Sequence, residues 1–292
     1  MRRDVARGAI YGLVSAGLFG LTAPTAKLLL PRTPPIQLAA LLYLGAGVGL
    51  TLVAALPHVR RGRSAKDRLQ RTDLPLLLAI VVSGGILGPT LMLTGLRRVS
   101  GVAGALLLNL ETVFTTLLAV TAFDDTLSRR EAVAAVAVMC AAGLLAYDPS
   151  GAGATSPLGA LLIAGACLAW GLDNNLTQRL SVRDPIRIVQ VKALSAGIVN
   201  LALSLGLGYS IRWSVLPASL AVGFFGYGVS IVFDVLALRY LGAAREAVFF
   251  AAAPFVGAVA AIPILGESFG LRQGVAGVVM LLGLWGMVSS SR

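Results

Sequence analysis

Leu96-Arg97, Asp125, Arg130 and Val133-Ala134-Ala135-Val136 recur in the same order and spacing as Leu238-Arg239, Glu267, Arg272 and Val275-Ala276-Gly277-Val278. Residues 95–147 therefore fall on 237–289 without a gap, at an offset of 142. A second match, at an offset of 151, lays Phe19-Gly20-Leu21 on Trp170-Gly171-Leu172. The extra nine positions fall in the longer loop after the second apolar segment. The pattern is that of a chain built twice, 1–150 and then 151–292, with Asp148-Pro149-Ser150-Gly151 as the seam. In membrane chains such repeats mark carriers that place their solute site between the halves.

Composition agrees with a membrane setting. Of 292 residues, 57% are hydrophobic and only 13% charged, and the mean hydropathy is +0.85. Soluble domains carry roughly 25% charged residues. A chain this apolar cannot hide its surface from water, so lipid has to be its solvent. About 20 apolar residues cross a bilayer as a helix. Ten such segments read along the chain: 8–30, 36–56, 74–96, 102–122, 131–147, 157–178, 185–206, 216–238, 245–265 and 271–289. No stretch alternates apolar and polar residues as a membrane barrel strand does. The sequence predicts an all-α integral membrane protein of ten transmembrane helices, with no room for a soluble domain.

A net charge of +11 would suit nucleic acid, but its placement argues for orientation instead. With ten spans and a cytoplasmic N-terminus, 17 of the 24 Lys and Arg fall on the cytoplasmic side, six of them in the stretch 57–73. Lys27, Arg32, Arg97, Arg98, Arg212 and Arg272 fall outside, and Lys192 lies within a span. That bias is the positive-inside rule. It predicts a multi-pass protein of a bacterial inner membrane with both termini cytoplasmic and no nucleic-acid partner. Five spans per half is an odd number, so the halves insert upside down relative to each other. The Arg2-Arg3 start reads as the flank of an uncleaved first span, since no clean cleavage site follows it.

Several chemistries lack their residues. No phosphate-binding Gly-x-x-x-x-Gly-Lys-Ser/Thr loop is present, so direct use of ATP is not expected. His58 is the single histidine, and Cys140 and Cys167 lack metal-ligand spacing. No catalytic set, metal or cofactor is predicted. The expected partners are the lipid bilayer and a small-molecule solute carried down or along a gradient. The oligomeric state stays open. A membrane-embedded enzyme, a lipid-handling protein and a channel are the competing classes.

Ionisable groups in mid-bilayer cost several kcal/mol unless paired or wet, so each is a functional candidate. Glu111 sits mid-span, between Asn109 and Thr112, Thr115 and Thr116. It reads either as a cavity carboxylate or as a structural one tied to neighbouring hydroxyls. Lys192 is placed to neutralise Glu111, to attract a solute carboxylate, or to snorkel to the interface. Asp173-Asn174-Asn175 and Asp234 read as gate or anchor groups pairing with Arg179, Arg183 or Arg239, and Glu246 as a helix-opening acid. Phe19 and Trp170 occupy equivalent places in the two halves. With Tyr43, Phe224 and Tyr227 they are expected to wall a cavity, completing a candidate site of Phe19, Tyr43, Asn109, Glu111, Trp170, Lys192, Phe224 and Tyr227. Gly45-x-x-x-Gly49 and Gly84-x-x-x-Gly88 predict close helix packing, and Pro24, Pro89, Pro254 and Pro263 predict kinks.

Both halves resemble the EamA-type unit of the drug/metabolite transporter superfamily. The second half carries Trp170-Gly171, Ala253-Pro254-Phe255, Leu265-Gly266-Glu267 and Arg272. The first carries Phe19-Gly20, Glu111-Thr112-Val113-Phe114, Asp124-Asp125 and Arg130, with Thr112 in place of the proline and Asp125 in place of the glutamate. The resemblance covers nearly the whole chain. It implies two inverted five-helix repeats around a central cavity and export of small metabolites by alternating access. Among relatives the chain most resembles amino acid exporters of the YddG type, which implies aromatic amino acids and some toxic cations as solutes.

Overall fold

The computed structural model describes residues 2–56, 69–122, 128–147, 156–241, 246 and 249–290, with backbone alone at 2–3 and 287–290. The basic run 57–68 with His58, the pair Asp124-Asp125, the seam Asp148–Gly151 and Arg245 lie outside them. Among the described residues every regular element is helical. Seven helices are long and apolar enough to cross a membrane: α1 (Asp4–Leu29), α2 (Pro35–Ala55), α3 (Arg71–Leu96), α4 (Gly101–Ala122), α6 (Pro157–Leu180), α7 (Pro185–Gly206) and α8 (Leu216–Leu241). Three shorter or more charged ones complete the set: α5 (Arg129–Ala146), α9 (Ala253–Leu265) and α10 (Leu271–Ser290). The helices expose Leu52, Leu78, Leu161, Val259, Leu282 and Trp285 on their outward faces, as a lipid solvent requires.

Local signals set the helix ends. Ser100 accepts from the Ala103 N–H at the start of α4, and Ser128 with Glu131 forms a reciprocal capping box on α5. Asp184 caps α7 ahead of Pro185, which fills the first helical position where no N–H is needed. Gly266, at φ 67°, takes the left-handed conformation that closes α9.

Glycine decides which helices touch. Gly47 lies against Leu194 of α7, and Gly197 of α7 lies against Leu44. The order 44, 47 on α2 thus meets 197, 194 on α7, so the two run antiparallel. The Gln190 amide, donating to the Thr51 hydroxyl at 2.8 Å, extends the same crossing. Likewise α4 meets α9 antiparallel, Gly101 beside Ala261 and Leu265 and Gly257 beside Ala105. Gly283 and Gly286 of α10 seat against Val138 and Ala134 of α5 in the same sense. Gly45 and Gly49 pack on Leu220 and Phe224 of α8, and Gly84 and Gly88 on Asp173 and Trp170 of α6, which are the close approaches their spacing predicts.

Four of these helices are not regular. A wide π turn interrupts α3 at Val81–Leu87 and α8 at Phe224–Val229, matching places under the 142 offset. Helix α4 breaks into Gly101–Leu107 and Leu110–Ala122, and the chain turns at Ala251-Ala252 just before α9. Pro24 interrupts α1 at Leu21, because proline supplies no N–H to the Gly20 carbonyl one turn back. Pro89 acts in the same way on α3. The Gly84 and Gly85 carbonyls, about one turn before it, accept from side chains, and those side chains belong to the site.

Candidate functional site

A cavity of ≈150 Å3 opens between α1, α2, α4, α6, α7, α8 and the segment leading into α9. Its lining follows helical periodicity. Trp170, Asp173, Asn174, Thr177 and Gln178 form one stripe of α6, and Leu108, Glu111, Thr112, Thr115 and Thr116 form one stripe of α4. Tyr227, Ile231, Asp234 and Leu238 continue it on α8. The breaks of α4 and of the segment before α9 both face this space, through Leu108 and through Ala251, Ala253 and Pro254.

One end of the cavity is an aromatic floor. Phe19 meets Trp170 and Tyr227 edge-on, with centroids 6.0 and 5.9 Å apart, and lies 5.2 Å from Phe250. Tyr43 lies 5.1 Å from Tyr227. Two carbonyls in the π turn of α3 hold this floor in place. The Tyr43 hydroxyl donates to Gly84 O at 2.6 Å, the Trp170 indole N–H donates to the same oxygen at 3.1 Å, and Asn200 donates to Gly85 O at 3.1 Å. Tyr227 is buried too, yet its hydroxyl has no partner.

Above the floor sit four carboxyl groups and one ammonium. Lys192 is bonded to Asp173, both side chains being 6% exposed, and Thr177 also donates to Asp173 at 3.4 Å. Asn174 donates to Glu111 at 2.7 Å, bridging α6 to α4, and Asn175 donates to Thr115 O at 3.0 Å. Asp234 and Glu246 are hydrogen-bonding neighbours lining the same cavity. The second oxygen of Glu246 is buried without a partner. No group of three or more His, Cys, Asp or Glu among the described residues is arranged to hold a metal ion.

The far end of the molecule is tied shut. Both carboxylate oxygens of Glu267 accept from the first N–H groups of α4, Gly101 at 2.6 Å and Val102 at 2.9 Å. Lys27 donates to Leu96 O, at the end of α3, at 3.0 Å and to Val99 O in the connection that follows. These contacts are charge-assisted and suit the helix dipoles at both places.

The comparisons with known proteins follow the same division into halves. The EamA-like transporter family matches residues 6–147 and again 157–289. The chain belongs to the EamA-like transporter family. An uncharacterized transporter of Methanothermobacter thermautotrophicus (strain Delta H) is 31% identical over 292 residues, spanning 95% of this chain and 85% of that protein. A solved crystal structure shares the fold at a TM-score of 0.70 and 16% identity, covering 98% of this chain and 97% of the other. The chain is thus a multi-pass membrane transporter of the EamA-like family, and these relatives name no solute.

Within this EamA-like protein, the structure brings together six of the eight candidate residues: Phe19, Tyr43, Glu111, Trp170, Lys192 and Tyr227 all line the cavity. Asn109 does not; its amide donates to Leu106 O and towards Met280, turning it to α10. Phe224 packs on Gly49 and Phe225, on the other side of α8. Lys192 neutralises Asp173 rather than Glu111, and it does not snorkel. Among the described residues no ion pair joins Asp173 or Asp234 to an arginine: Arg183 pairs with Asp73 at 3.0 Å, and Arg239 donates to the Ser181 and Arg183 carbonyls. Both acids belong to the cavity instead, with Asn174, Glu246 and Phe250. The signal that reveals them is the i, i+3, i+4, i+7 recurrence of polar residues along α6, which in a membrane helix marks a wet face.

Proposed function

We propose that this EamA-like protein is a secondary carrier that exports small amphipathic metabolites by alternating access. One observation carries the reading: a cavity rich in carboxyls and rings lies where two interrupted helices, one from each half, face each other. Interrupted helices give a carrier local polar backbone at mid-membrane. In this arrangement 1–150 and 151–292 are two five-helix units inverted in the membrane, and all ten helices span it. The antiparallel packing of α2 on α7, α4 on α9 and α5 on α10 supports that inversion. The 17-to-6 distribution of basic residues supports cytoplasmic termini in a bacterial inner membrane. The cavity then lies towards the cytoplasm, and Glu267 and Lys27 seal the outer end.

The solute is of modest size, since a cavity of ≈150 Å3 is the volume that elsewhere admits a benzene ring. Amino acids, aromatic ones among them, fit the floor by shape. Their carboxylate would have to compete with Asp173 for Lys192. The test is counterflow in proteoliposomes with a panel of amino acids and amines, in wild type and in Phe19→Ala and Trp170→Ala. A carrier shows counterflow and a channel does not. Loss of counterflow in both variants is the expected result. Undiminished transport of every solute by both would sink the aromatic-cavity reading.

A further inference from the structure

We propose that a groove between α5 and α10 holds one anionic phospholipid, with its phosphate at Arg129 and Arg130 and an acyl chain laid along the two helices. The site is separate from the central cavity and does not depend on which solute that cavity takes. The groove has a volume of ≈590 Å3, against ≈150 Å3 for the cavity. Val133 and Leu282, which line it, are 71% and 66% exposed, so it lies on the lipid-facing surface. Its floor is low because small residues meet there. Ala134 of α5 lies against Gly283 and Gly286, and a methyl group added at Gly283 would collide with Val138. From the arginines to Ala137 the lining runs about 12 Å along α5 at the helical rise. The two helices pack chiefly on each other, so a chain lying in this crease bridges elements that touch the rest of the bundle less.

Charge names the occupant. Arg129 and Arg130 line one end of the groove, both are exposed, and among the described residues neither guanidinium has a hydrogen bond or an ion pair. Glu131, the next acid in sequence, accepts from the Ser128 N–H at 2.7 Å. The opposite end of the helix pair is arranged differently. There Arg272, which the repeat sets in the place of Arg130, donates to the Tyr147 carbonyl at the end of α5. Basic pockets between spanning helices take up acidic headgroups, and an arginine can pair two phosphate oxygens at once. Two open arginines at the end of an apolar trough therefore suit a phosphate that carries hydrocarbon. A second copy of the chain docked through the same face would bring the same arginines with it, and like charges would meet.

Trp285 supplies the readout. It is next to Gly286 on α10 and 72% exposed, Trp170 is buried, and Trp213→Phe removes the third tryptophan of the chain. The Trp213→Phe protein in vesicles of phosphatidylcholine is titrated with phosphatidylglycerol brominated in its acyl chains and, in parallel, with brominated phosphatidylcholine. Bromine quenches an indole that it touches. Phosphatidylglycerol is expected to compete about tenfold better, a difference of roughly 1.4 kcal/mol. Arg129→Gln with Arg130→Gln is expected to bring that preference to within about twofold. Ala137→Phe fills the groove, leaves both charges in place and is expected to lower the preference several-fold. Arg97→Gln with Arg98→Gln neutralises a basic pair away from the groove and is expected to change nothing. If the double arginine variant does not insert, Arg130→Gln and Ala137→Phe carry the test. Equal quenching by the two brominated lipids overturns the proposal. So does a preference that survives both groove variants, or one that falls equally when Arg97 and Arg98 are neutralised. A Trp285 that neither lipid quenches also overturns it and points to a second copy on that face.

Discussion

Lys192→Met is expected to cost this protein more stability than any other single change in the cavity. The Lys192 ammonium and the Asp173 carboxylate are each 6% exposed, so neither can fall back on water when its partner is removed. Asp173 would keep only the Thr177 hydroxyl, at 3.4 Å. Gly84 presses the α3 backbone against this carboxylate, which leaves it little room to turn away. Breaking a buried pair by removing one member costs about 3–5 kcal/mol, because the remaining charge is stranded. On the size scaling of folded chains, roughly 2.1 cal/mol/K per residue, that is a fall in Tm of roughly 5–8 °C. Removing both charges together is a different perturbation. Asp173→Asn with Lys192→Met leaves two neutral groups and is expected to recover to within about 1 kcal/mol of wild type.

The measurement is thermal unfolding in one detergent for wild type, both single variants and the double variant, arranged as a double-mutant cycle. A coupling of about 2 kcal/mol or more is expected, since the two residues are in contact and share a site. If the singles unfold within about 2 °C of wild type and their effects add, the pair is not a buried ion pair and the charge census of the cavity is wrong.

Three further outcomes follow from particular contacts. Gly88→Ala places a methyl group against the Trp170 indole, so it is expected to displace the ring from Gly84 O and cut transport several-fold while the chain still inserts; wild-type uptake would refute the packing of α3 on α6. Glu267→Ala removes two charge-assisted caps from α4, worth about 1–2 kcal/mol, and is expected to raise alkylation of a cysteine placed at Ala105 from outside, with no rise counting against the seal. On a background lacking Cys140 and Cys167, a cysteine at Ser64 is expected to react only after permeabilisation; labelling in intact cells would reverse the orientation.

The helical class and the glycine faces on which helices pack were legible because lipid imposes a simple rule. Every span has to be apolar and about 20 residues long, and close pairs need glycine. Gly45, Gly49, Gly84 and Gly88 therefore announced two contacts correctly. The interruptions were harder to see. Pro89 predicted a kink, but the Gly84 and Gly85 carbonyls beside it become meaningful only once Tyr43, Trp170 and Asn200 are seen to use them. The site divided in the same way. Phe19 and Trp170, which line the cavity, were picked out by the repeat, whereas Asp173 and Asp234 were read as partners for nearby arginines and Glu246 as a helix-opening acid. Sequence proximity misled there: Arg183 is closer in sequence to Asp173 than Lys192 is, yet it lies a turn or more beyond the end of the cavity and pairs with Asp73. Asn109 and Phe224 failed for a shared reason. Each sits beside a break or a π turn, and there a regular helical count no longer tells which way a side chain points.

The two halves share the π turns of α3 and α8 and the breaks before Glu111 and Ala253, but not the Leu21 interruption of α1 and not their chemistry. Gly84 lies against Asp173, and at the matching place Gly226 lies against Thr22. Glu111 at the break of α4 answers to Ala253 at the start of α9, and the α6 stripe Asp173, Asn174, Thr177, Gln178 answers to Thr22, Ala23, Ala26, Lys27 on α1. The α1 stripe is packed, with Thr22, Ala23 and Ala26 at 2% exposure or less, and it ends in the lysine that closes the far side. If the molecule opens by exchanging the packings of its halves, the face uncovered on the far side is small, nearly neutral and guarded by a positive charge. On the carrier reading proposed above, a solute leaving the cavity would meet little on that face to hold it. Duplicated geometry with unequal side chains would then make one packing a binding surface and the other a path of release.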